Sequence, residues 1–221
     1  MSLAINRLFF SFLLVFSGLS LADVADINRI FHQTPSLNQF EICQGGGCAQ
    51  DDKVSLAPTD WQPVAALFLP VPANAQTERK QIALAIGMLE EIVGKKIGTS
   101  GDLAGTFDSG NLGGQQDCND EAINSTTYMR LLKANGLMQF HEIEDTRTRN
   151  FFFTGWPHTT AVVHELATND RFAVDSWFYD NGHAATIVPF GVWKANYKPD
   201  DSPIGKDRSA PAELKTVRVN Q

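Results

Sequence analysis

Cysteine is scarce in this chain, with three among 221 residues. Basic runs are missing altogether, and the formal net charge is −7. A modestly acidic chain without a basic patch is poor material for nucleic acid or for an anionic membrane surface. No stretch beyond residue 22 is apolar enough over enough length to span a bilayer. Internal repeats and low-complexity tracts are absent as well. Metal motifs begin and fail. His141-Glu142-Ile143-Glu144-Asp145 and His164-Glu165-Leu166-Ala167-Thr168 both lack the second His of a zinc-peptidase helix. Gly45-Gly46-Gly47 has no strand–helix context that would cradle phosphate. No metal and no cofactor is expected.

What is present begins with the N-terminus. Arg7 precedes an apolar run from Leu8 to Leu21, and Ser20-Leu21-Ala22 supplies small residues where a signal peptidase reads. That order predicts a signal peptide over 1–22, cleaved after Ala22, rather than a membrane anchor. The expected location is outside the cytoplasm, in a bacterial periplasm, with no stable membrane insertion after cleavage. The remaining 23–221 is long enough for one domain with a sizeable core.

Export gives the cysteines meaning, because thiols tend to pair in an oxidising compartment. Cys43 and Cys48 flank Gln44 and three glycines. Glycine permits the tight turn that a local disulfide needs. Metal binding is the rival reading, but two thiols without a second pair do not complete a zinc site. Pairing these two leaves Cys118, which is buried and inert, held for an intermolecular bond, or reactive.

Val24–Phe31 suits a short helix, and prolines and glycines break much of 23–75 into loops and short extended pieces. Ala65–Leu69 suits a strand. Ile82, Ile86, Leu89 and Val93 recur on one helical face, with Thr77 as its cap and Gly94 as its stop. Residues 97–116 read as a long polar loop. A second helix starts near Asp117, carries Asp117, Asp120 and Glu121 in its first turn, and ends at Asn135-Gly136. Thr159–Leu166 and Phe172–Phe178 read as a hairpin, followed by a strand over Ala185–Phe190. The fold class is α+β: an N-terminal part over 23–105, a core over 106–197 and a loose polar tail over 198–221.

Cys118 therefore opens a helix after a glycine-rich loop. Free N–H groups at a helix start lower a thiol pKa and can hold an oxyanion. The flanking acids oppose thiolate formation, so a cationic partner is needed, and imidazolium is the usual one. His158 begins one strand of the predicted hairpin and Asp175 lies near the end of the next. An antiparallel turn near residue 167 sets them side by side. His164, six residues on along the same face, would lie nearer the turn.

Asp117-Cys118-Asn119-Asp120-Glu121-Ala122 opening a helix, then Trp156-Pro157-His158-Thr159-Thr160-Ala161-Val162-Val163, then Phe172-Ala173-Val174-Asp175-Ser176-Trp177, resembles the transglutaminase-like cysteine peptidases of the papain-like superfamily. The likeness covers roughly residues 110–180. It implies a Cys-bearing helix packed on an antiparallel sheet, with Cys118 as nucleophile, His158 as base then acid, and Asp175 holding the imidazole. It places the Cys118 N–H in the oxyanion hole, with Gln115 or Gln116 as a second donor, and has Trp156 and Trp177 lining the site. It implies cleavage or transfer at amide bonds of a protein or peptide, through a thioester. The alternative is a binding or scaffold protein that keeps this fold without turnover.

Overall fold

The computed structural model describes residues 27–107, 113–149 and 157–206. The expected signal peptide, Trp156 and most of the tail (207–221) lie outside them. The fold is α+β with antiparallel sheets. Its centre is a helix, α3 (Cys118–Ala134), set between a two-stranded hairpin and a four-stranded sheet.

The hairpin pairs β1 (Phe40–Gln44) with β2 (Gln50–Val54). Every β1 residue is buried, while β2 is mostly solvent-facing. Helix α1 (Pro58–Ala66) follows, where a strand over Ala65–Leu69 was expected. Pro58 brings a helical φ to the first position, and the Asp60 side chain accepts the Ala57 N–H at 2.9 Å. The apolar run then closes the helix, since a short run of that kind fits a buried helix end as well as a strand.

Helix α2 (Ala75–Ile97) buries Ile82, Ile86, Leu89 and Val93, the face that the periodicity predicts. It starts earlier and ends later than expected. Asn74, not Thr77, is the cap and accepts the Thr77 N–H; Gly98, not Gly94, takes the left-handed closing conformation. Gly94 lies within the helix, under Ser100 and Asn181. In α3, thirteen of seventeen residues are buried, polar ones included, because the helix is enclosed on several sides.

The larger sheet runs β3 (His141–Arg149), β4 (His158–Glu165), β5 (Arg171–Asp175) and β6 (Thr186–Pro189), each pairing antiparallel with the next. β3 was not among the expected strands. It is an edge strand, where charged side chains are normal, anchored by buried His141 against Glu78. A short helix, α4 (Phe190–Lys194), follows β6. The main core joins α2, α3, β1, Ala161 and Val163 of β4, and Val174 of β5. Among the described residues no helix is long and apolar enough to cross a membrane.

Candidate active site

The site forms where the start of α3 meets the end of the larger sheet. Asp117 caps α3 and accepts the N–H groups of Asn119 and Asp120, so Cys118 is the first helical residue. The thiol is free and 7 % exposed. It packs with Trp177 and Phe178. The His158 ring lies 4.5 Å from Trp177 and 5.5 Å from Phe178.

His158 Nε2 and Asp175 Oδ2 are 2.6 Å apart, and both side chains are buried. The expected register is off by two residues. Ala161 faces Val174, which puts Asp175 across from Thr160 rather than from His158. The bond spans the diagonal on one face of the sheet, a distance such side chains reach. His158 Nδ1 is buried and has no hydrogen-bond partner among the described residues. It is the one ring nitrogen of the pair left to take a proton. His164, the alternative base, lies 3.2 Å from Glu144 on β3.

The thiol is not activated at rest. Burial pushes the Cys118 thiol up to about 11, and Asp117 and Asp175 push the same way. The backbone N–H groups of Thr159 and of Cys118 itself act in the opposite sense. A neutral thiol can still act as a nucleophile where a nearby base takes its proton as it attacks.

The acids around Cys118 are tied down. The turn between the disulfide-bonded Cys43 and Cys48 presents successive N–H groups from residues of positive φ. Gly46 donates to Asp120 Oδ2 at 2.8 Å and Gly47 to Asp117 Oδ2 at 3.0 Å. Such a run of amides is an anion cradle. Asp120 O and both cysteine sulfurs cluster within 4.8 Å, but the disulfide removes the thiolates a metal would need.

Neither glutamine is free for an oxyanion. Gln115 Nε2 donates to Gly101 O at 2.9 Å, and its Oε1 accepts from Leu103 N and Thr106 Oγ1. Gln116 Nε2 donates to Cys43 O at 2.9 Å. Both side chains brace the loop ahead of Cys118. The Thr159 amide, which reaches the thiol, is the second N–H at this spot besides that of Cys118.

Three parts of the site are invisible to pattern reading. Trp193 of α4, fully buried, donates from Nε1 to Asp175 Oδ2 at 2.7 Å. Arg149 donates to the Trp193 and Tyr197 carbonyls at 2.6 and 3.0 Å. Beneath Cys118 lies a group of buried acids. Glu121 accepts from Ser176 Oγ, Glu90 Oε2 accepts from Gly182 N at 3.3 Å, and Asp102 Oδ1 accepts from Gln116 N at 2.8 Å. Burial raises Glu90 to about 7 and Asp102 to about 6, and pushes Glu121 well above the usual carboxylate range.

A groove of about 490 Å³ opens alongside, with no charged residue among the described ones that line it. Ile27, Phe31 and Ile123 give it an apolar wall, Thr146 and Thr148 a hydroxyl-bearing one. Asn119 and Thr159, the chain neighbours of Cys118 and His158, also line it.

The chain matches no family model, no curated protein and no solved structure.

Proposed function

We propose that this is an exported cysteine hydrolase or acyltransferase with a transglutaminase-like, papain-like core, acting on amide bonds of a protein or peptide. The observation that carries the reading is the His158–Asp175 pair at 2.6 Å with His158 Nδ1 buried and unpartnered among the described residues, His158 and the helix-start thiol both packing on Trp177. Cys118 Sγ attacks the carbonyl carbon while His158 Nδ1 takes the S–H proton. The Cys118 N–H, and the Thr159 N–H once the thiol has moved, receive the oxyanion. The tetrahedral adduct collapses, the amine leaves with the proton from Nδ1, and a thioester remains. Water, or an acceptor amine, gives its proton to Nδ1, attacks the thioester and regenerates the thiol. The groove takes the acyl side of the substrate. Among the described residues none that lines it is charged, which suits a neutral, partly apolar stretch of extended chain.

The test is iodoacetamide labelling of Cys118 across pH in the natural protein and in His158→Ala. Labelling near neutral pH should fall by about 10² or more without the base. Equal rates in the two proteins would overturn the reading.

A second reading, a binding or scaffold protein without turnover, is favoured by the thiol raised to about 11. Cys118→Ala separates the two. A folded variant that keeps the wild-type phenotype supports binding, and one that loses it supports catalysis.

A further inference from the structure

We infer that Trp193, clasped by Arg149, is the positioning residue that fixes His158 in the one tautomer able to serve as base; this rests on the catalytic reading of Cys118 and His158.

The argument is one of donors and acceptors. Asp175 Oδ2 meets two groups, His158 Nε2 at 2.6 Å and Trp193 Nε1 at 2.7 Å. An indole N–H only donates. Oδ2 must therefore present lone pairs and cannot carry a proton toward Trp193. An oxygen that already accepts one N–H is best matched as a carboxylate oxygen, which only accepts, and Nε2 of His158 is then the donor. In the neutral ring the proton then resides on Nε2, and Nδ1 keeps its lone pair. That nitrogen is the buried one without a partner. Without the indole, a buried carboxyl could take up a proton and donate it to Nε2. The ring proton would then move to Nδ1, and the base would be lost.

The indole itself has little freedom. Trp193 is fully buried, and Phe190 stacks on it at 5.7 Å with 18° between the planes. The Arg149 guanidinium lies 4.8 Å over its ring and holds its carbonyl. Arg149 sits across from His158 in the β3–β4 register, so clasp and base share one rung of the sheet. Its charge also acts favourably on both Asp175 and Cys118.

The experiment is ring ¹⁵N NMR of His158 in natural protein and in Trp193→Phe, with iodoacetamide labelling near neutral pH alongside. The natural protein should show Nε2 protonated and Nδ1 bare. Trp193→Phe should show a tautomer mixture and labelling slowed by about tenfold or more. Should Phe fail to fold, the indole isostere with sulfur in place of N–H (benzothienylalanine) tests the same donor at constant shape. A folded variant with a pure Nε2–H ring and natural labelling overturns the inference. Were natural labelling no faster than in His158→Ala, the catalytic reading would fall, while the tautomer comparison would still decide the role of Trp193.

Discussion

The Cys48 backbone N–H donates to Asp120 Oδ1 at 2.5 Å. A disulfide turn on one hairpin thus grips an acid two residues from the candidate nucleophile. Gly46 and Gly47 add to the grip on Asp120 and Asp117, and Gly45 N holds Gln115 O at 3.0 Å. Burial and Asp117 raise Asp120 to about 7, and the Cys48 and Gly46 amides act against that rise. Replacing both Cys43 and Cys48 by Ala should therefore do two things. Stability should fall by about 2 kcal/mol, the loop-closure cost for so short a loop. Amide hydrogen exchange should quicken at residues 117–121, the far side of the cradle. Urea unfolding and exchange mass spectrometry measure these. Stability loss without faster exchange at 117–121 would mean that the turn and the helix start are uncoupled.

The acids beneath Cys118 predict a pH dependence. Burial raises Glu90 from 4.5 to about 7 and Asp102 from 3.8 to about 6, with Glu121, Asp180 and Tyr128 as charge neighbours of the group. The folded protein thus keeps protons that the unfolded chain has given up. This stabilisation is complete below about pH 4 and is lost as pH rises toward 7, at roughly 1.4 kcal/mol per pH unit for each proton of difference. Glu90→Gln should flatten that decline. Thermal unfolding of both proteins from pH 4 to 8 gives the comparison, and parallel curves would contradict it.

Much of the site was legible because its signals are local. A Cys after a cap-forming Asp, a His at a strand start and an Asp one hairpin away are readable without tertiary information. The Cys43–Cys48 pair was legible for the same reason, since six residues close on themselves. The rest depends on packing. Arg149 ends a polar edge strand that reads as solvated charge, and Trp193 lies in a five-residue helix too short for periodicity. The two meet only because β6 returns beside β5 and sets α4 against the sheet. α1 was missed because its apolar end is as short as a strand. The burial of the acids was not legible, since charge at a helix start is normally solvated. Here α3 is enclosed, and burial overrides that expectation.

Gly87 in the middle of α2 makes a prediction about support for the site. A Cβ there would fall 2.6 Å from His183 O and 2.8 Å from Gly182 O, both backbone atoms. The same turn gives its Gly182 N–H to Glu90 and its Asn181 N–H to Asp102 O at 3.1 Å. Gly87→Ala should cost about 1–3 kcal/mol, against the gain a Gly-to-Ala change usually brings in a helix. A urea midpoint equal to or above the natural value would show that α2 and the turn have room to separate.

The groove gives the last prediction, one about substrate choice. Its described lining is neutral, and Thr148, which hydrogen-bonds Thr159 across the strands at 2.9 Å, is exposed. A charge placed there disturbs the core little but changes the field along the path to Cys118. Blocked dipeptide chloromethyl ketones carrying Leu, Glu or Lys ahead of the reactive residue serve as probes. The natural protein should be inactivated fastest by the Leu probe, because burying an unpaired charge in an uncharged groove is costly. Thr148→Asp should move the Lys-to-Glu rate ratio toward Lys by about fivefold or more, through attraction of one probe and repulsion of the other. Each ratio is taken within one protein, so a general change in thiol reactivity cancels. A ratio that stays at its natural value would place the acyl side of the substrate outside this groove, even with Cys118 confirmed as the nucleophile.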